Sequence, residues 1–328
     1  MAKYILSIDG GGLRGLIPAL VLAELSHRLE AKAGRPVELS RVFDLVAGAG
    51  SGGLIAAGLA SPRALGADVE ALGPDALVKL FRRDLRKACK RRFLSSRPDD
   101  GRRLEDLLDL ILPPSRMGET RVPVLLTACD PKTGAPVRLM SPAPYDWIDR
   151  DWFFRQAVRA TMAAPGEFAP TAIQNALAPN SRTTLVGGEI WAADPTTAAV
   201  TEAFARDWEH DGLFVLSLGT GEMAELNERS PHALAAQASA RASAHHVDHL
   251  LNRGGALQYS RINGALARGD AYDGSRGAQR RLEAAAKAWI GEHDKTLEGW
   301  AIRLAARVLV KPQAAAAPAT VTRLAAAA

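Results

Sequence analysis

Five short apolar runs, each closing on a turn residue, constrain this chain more than any other feature. They read "YILSI", "VFDLVAG", "VPVLLTACD", "TTLVGG" and "LFVLSLGTG". Apolar runs of this length bounded by Gly or Asp read as buried strands. Residues 16–33 follow the first run with a helical, apolar-rich pattern, and another helix is expected from about residue 53. Strands with helices between them imply a mostly parallel sheet covered on both faces, the α/β class. An apolar fraction of 47% over 328 residues supplies the core. No internal repeat is visible. Residues 230–311 are Ala-rich and helical in pattern, and no strand is expected there. Residues 312–328, "QAAAAPATVTRLAAAA" with its leading Pro312, have little to bury and are expected to be a flexible tail.

Charge and cysteine content say less. Lys plus Arg number 41 and Asp plus Glu 36, a net charge of +5 that carries no call for a nucleic-acid partner. Cys89 and Cys129 form no disulfide framework, which points to a reducing, cytoplasmic setting. The opening "MAKYILSIDGGG" has an apolar run too short for a signal-peptide core and reads as a first strand. Residues 45–62 carry no charge, close to the roughly 18 that raise suspicion of a membrane span. Five glycines interrupt them, so the stretch is expected to split into a buried strand and a buried helix, with no transmembrane segment.

Two Gly-rich turns carry the chemistry. "DGGGLRG", residues 9–15, follows a strand and opens a helix. Gly10, Gly12 and Gly15 match G-x-G-x-x-G, a dinucleotide fingerprint that is weak alone. Backbone N–H groups bared by glycine at a helix start attract negative charge, whether a pyrophosphate or an acyl-transfer oxyanion. The second turn lies in "FDLVAGAGSGGLIAAGLA", where a hydrolase would present a serine as G-x-S-x-G. The frame from Gly48 to Gly52 puts Gly50 at the tip, and Ser51 stands one place late.

Together "SIDGGGLRG", "FDLVAGAGSGG", "TACDPKTGAPV", "RATMAAPGEFAP", "GGEIWAADP" and "VLSLGTG" resemble the motifs of patatin-like phospholipases, in that family's order. The resemblance covers roughly residues 3–222 and leads to a patatin-like domain over 1–311. It implies a three-layer α/β/α fold, a lipid acyl hydrolase ancestry, and a Ser–Asp dyad without cofactor or metal. It also implies an oxyanion hole from Gly10, Gly11, Gly12 and the backbone at Arg14. The family elbow G-T-S-T-G-G aligns without a gap on residues 48–53, so the nucleophile slot is Gly50. The family motif D-G-G-x-x-A-N-N-P, counted back from Pro195, puts the aspartate slot at Gly187. Both dyad positions are glycine, which implies an impaired hydrolase still able to bind acyl lipid or a membrane surface.

Competing readings follow from the same residues. Residues 49–53 also read A-x-S-x-G, a slipped elbow in which Ser51 is the nucleophile. Its plainer role is a helix-N-terminal hydroxyl that satisfies a backbone N–H. Glu189 and Asp194 are nearby carboxylates outside the base position, and Asp194 suits a turn before Pro195. An oxidoreductase resting on G-x-G-x-x-G lacks an acidic residue closing a second strand; Glu38 is poorly placed. The basic stretch "FRRDLRKACKRRF", residues 81–93, could meet anionic headgroups, or simply be a solvated helix. His245 and His249 sit one helical turn apart, with Asp248 adjacent, but further ligands are lacking and no metal site is assigned.

Overall fold

The computed structural model describes residues 2–61, 72–89, 98–141, 150–178, 180–223, 231–251, 257–266 and 275–310. The expected tail at 312–328 lies outside them. Apolar runs and Gly-rich turns fall where the sequence put them. Strand β1 (Lys3–Ile8) leads through the Gly-rich loop into α1 (Leu16–Ala33), and β2 (Leu45–Gly48) leads into α2 (Gly50–Ala60). The uncharged stretch at 45–62 thus splits at its turn, and no described helix is long and apolar enough to cross a membrane. Helix α2 starts at Gly50, three residues ahead of the expected 53.

Further along run α3 (Pro74–Ala88), α4 (Arg102–Ile111), β3 (Val124–Cys129), β4 (Pro136–Ser141), α5 (Phe154–Thr161), β5 (Thr171–Gln174) and β6 (Arg182–Gly187). Then follow α6 (Glu189–Ala192), α7 (Thr196–Ala205), β7 (Leu213–Leu218), β8 (Glu222–Met223) and α8 (Pro231–Leu251). The chain continues with β9 (Leu257–Ile262), β10 (Ala265–Leu266), α9 (Arg276–Glu292) and α10 (Asp294–Val310).

The main sheet has the order β5-β6-β3-β2-β1-β7-β9, with β4 on β3. From β3 through β9 the pairings are parallel, and β4, β5 and β6 pair antiparallel. Parallel strands need crossovers, and these supply the helices. The two faces have separate cores. Leu6 and Ile8 of β1 pack with α1, α2 and the C-terminal helices, whereas Ile5, Leu45 and Val215 pack with Ala199, Val200 and Ala203 of α7. That alternation is the period-2 signature of a strand buried on both sides.

One expectation needs correction. A strand was not anticipated between residues 230 and 311, yet β9 pairs in parallel along the whole of β7. "LQYSRI" carries too little apolar character to stand out, because it is a sheet edge and only Ile262 is fully buried.

Candidate active site

All the Gly-rich turns meet at the C-terminal ends of the parallel strands, where ligands bind in open α/β sheets. Gly11 approaches Thr220 so closely that any Cβ would run into its hydroxyl. Thr220 Oγ1 in turn donates to Gly10 O at 2.6 Å. Arg14 braces the loop from beneath, with Nη1 donating to Gly221 O at 3.0 Å. The Gly10 amide donates to Ala193 O at 2.8 Å and the Arg14 amide to Gly11 O at 3.1 Å. Two of the four groups expected in an anion hole, the Gly10 and Arg14 amides, are therefore committed within the protein. Gly12, at φ +60°, is exposed, with open space where a Cβ would be.

At the elbow, Ala49 is extended and Gly50 has φ +50°, the left-handed region that favours glycine. The Gly50 amide donates to Thr161 Oγ1 at 3.0 Å. The space beyond Gly50 holds the carboxyl of Glu189. A Cβ on Gly50 would run into Glu189 Oε1, and a Cβ on Gly10 would lie 2.5 Å from the same oxygen. The two Gly-rich turns are thus neighbours, as their motifs implied, and one carboxyl lies between them. Burial pushes that carboxyl up to about 7, with Glu167 adding to the shift and Arg14 opposing it.

Ser51 is at the second position of α2 and is buried. Its Oγ lies beside Gly15, where a Cβ would be 3.0 Å from it. Among the described residues this hydroxyl has no hydrogen-bond partner. The plain capping role is corrected, since at N2 the side chain lies past the cap, and Thr161 satisfies the first amide instead.

Gly187 ends β6, opposite Ala128 of β3. Its amide donates to Ala163 O at 2.8 Å, and a Cβ there would lie 2.7 Å from Thr161 O. Thr161 thus touches both positions expected for a dyad, Gly50 through its hydroxyl and Gly187 through its carbonyl.

Beneath the loop lies a polar cluster that no motif announced. Arg261 of β9 donates through Nη2 to Asp9 Oδ2 at 2.7 Å and through Nη1 to Asp9 Oδ1 at 3.2 Å. The same Nη1 reaches Asp194 Oδ2 at 3.1 Å and Ser217 Oγ at 2.7 Å. One guanidinium serves two buried carboxylates, and burial raises Asp9 to about 7 despite it. Asp194 also makes the turn foreseen for it, with Oδ1 accepting from the Thr196 amide at 2.8 Å. The cluster went unread because Arg261 sits in a polar edge strand more than 250 residues from Asp9. The only available hint was a charged residue beside aromatic and apolar neighbours in "LQYSRI".

Of the basic stretch, Phe81 packs its ring against Gly15 of the Gly-rich loop. Phe81, Leu85 and Ala88 of α3 are buried, and Arg82 pairs with Glu283 of α9 at 2.8 Å. Lys90 to Phe93 lie outside the described residues. His245 and His249 are exposed on α8, and no group of three metal-ligating side chains occurs among the described residues. A cavity of about 850 Å³ opens beside α6, between β4, α7 and α8, lined by Ile190, Trp191, Ala198 and Ala242.

Residues 6–200 match the family model described as "Patatin-like phospholipase". "Probable inactive patatin-like protein 9" of Arabidopsis thaliana is 31% identical over 242 residues, covering 66% of this chain and 60% of that protein. "Patatin-like protein 3" of Oryza sativa subsp. indica is 31% identical over 235 residues, covering 69% and 55%. "Patatin-like protein 7" of Arabidopsis thaliana is 28% identical over 242 residues, covering 68% and 48%. The chain spans between about half and three-fifths of the length of these relatives.

Proposed function

Because the chain belongs to the patatin-like phospholipase family, we propose that it binds acyl lipid in that family's site while its Ser–Asp hydrolysis is disabled. The observation that carries this reading is the pair of slots at Gly50 and Gly187. Both lack a side chain, and both spaces are already filled, one by the Glu189 carboxyl and the other by the Thr161 carbonyl. Gly11 and Gly12 are the loop amides left to hold an acyl carbonyl, with Gly10 and Arg14 as their supports. A bound ester would meet polarising amides, but with glycine at 50 and 187 neither the serine hydroxyl nor the aspartate of the family dyad would be there to attack it. Acyl lipid also makes a membrane surface the natural place of work, in a cytoplasmic and peripheral setting.

The slipped elbow has less in its favour. Ser51 Oγ is turned toward Gly15, and none of its described neighbours is a base bonded to it. Hydrolysis of p-nitrophenyl butyrate tests the two readings. Negligible turnover is expected, unchanged by Ser51→Ala; strong turnover abolished by that substitution would establish the slipped elbow instead.

A further inference from the structure

Glu189 stands where the family motif carries the second glycine of its D-G-G, two residues past the aspartate slot. A glycine there leaves the space between the two Gly-rich turns open, and glutamate fills it. The Oε1 atom lies against Gly10 on one side and Gly50 on the other, so the carboxyl occupies the gap between the anion-binding loop and the elbow. An acyl carbonyl entering the site would need that gap. We propose that Glu189 is the specificity-determining residue of the vacated centre, filling the space of an acyl head group and excluding it until the side chain swings out. This rests on the acyl-lipid reading given above.

The mechanism is occupancy rather than charge alone. Gly50 tolerates its neighbour only because it has no Cβ, so the glycine at the nucleophile slot and the glutamate at the second motif are sterically matched. Only the far end of a flexible side chain stands in the gap at Gly50, and removing it leaves the loop, the elbow and Thr161 in place. Glu189 stands at the start of a four-residue helix and belongs to neither hydrophobic core, so its truncation removes no core packing.

Titration calorimetry with laurate and butyrate, on the unmodified chain, Glu189→Ala and Glu189→Gln, tests the proposal. Glu189→Ala should bind laurate roughly tenfold tighter or more, a change of about 1.4 kcal/mol. Glu189→Gln, which keeps the shape and loses the charge, should gain far less. Thermal melts of both variants check that each is folded. A Gln variant that gains as much as the Ala variant would overturn occupancy, and so would a folded Ala variant with no gain for either ligand. An equal gain for butyrate and laurate would uphold Glu189 as the excluding residue while removing the acyl chain from the proposed function.

Discussion

The two proposed dyad slots, Gly50 and Gly187, are closed in different ways. At Gly50 the obstacle is the tip of the Glu189 side chain, together with a positive φ that any other residue bears at a cost of about 1 kcal/mol or more. At Gly187 the obstacle is the Thr161 carbonyl, held by helix α5 and by the paired strands β3 and β6. A side chain can rotate away; a backbone carbonyl moves only with its element. The space at Gly50 can therefore be opened by a change of rotamer, whereas the space at Gly187 is closed by the packing. The difference teaches that Gly50, the proposed nucleophile slot, is blocked only by a side chain and its own positive φ, whereas Gly187 is blocked by backbone.

Rebuilding the dyad breaks this comparison most severely. Gly50→Ser alone should recover little activity, and Gly187→Asp alone none. The pair should exceed the sum of both, because nucleophile and base act as a unit. The triple change that adds Glu189→Gly should exceed the pair, by up to the order of a millionfold over the unmodified chain if the geometry is regained. Ester hydrolysis measured across the series checks the ranking; a pair as active as the triple would show that Glu189 is no obstacle.

A large effect on stability is expected beneath the loop. Arg261→Met strands Asp9 and Asp194, two buried carboxylates, and should cost about 3–5 kcal/mol in urea unfolding. Asp9 precedes the Gly-rich loop and Asp194 follows α6, so both sides of the site depend on this arginine. A loss below 1 kcal/mol would mean that the carboxylates are neutral or re-solvated in the variant.

The glycines themselves can be compared directly. Gly187→Ala forces its Cβ against the Thr161 carbonyl and should destabilise by about 1–3 kcal/mol. Gly50→Ala should cost about 1 kcal/mol, mainly through its positive φ. Combined with Glu189→Ala, the Gly50 penalty should shrink while the Gly187 penalty stays unchanged. Equal relief at both positions would collapse the distinction.

The mildest change is with pH. Asp9 and Glu189 are both raised to about 7, above the usual carboxylate values of the unfolded chain. The folded state then holds more protons than the unfolded state between roughly pH 4 and pH 7, so these groups lower stability as pH rises through that window. Above about pH 7 their contribution is flat. Unfolding midpoints at pH 5 and pH 7.5 should differ less in Glu189→Gln than in the unmodified chain. An undiminished difference would assign the slope to Asp9 and the other carboxylates.

The sequence by itself determined the strands, the first two helices, the Gly-rich turns and the lack of a side chain at Gly50 and Gly187, the positions proposed as dyad slots. These are local: an apolar run, a glycine at a turn, or a missing side chain in a motif can be read over a few neighbouring residues. Even there, the start of α2 moved to Gly50 and the cap expected of Ser51 was supplied by Thr161, more than a hundred residues on. Tertiary structure alone decided the rest. It made the polar "LQYSRI" a sheet strand, because β7 offered a parallel edge for its backbone to pair with. It brought Arg261 under Asp9 and Asp194, and it carried the Glu189 carboxyl into the gap beside Gly50. Those outcomes depend on how chain segments distant in sequence meet across a sheet, and no local pattern of residues encodes the meeting.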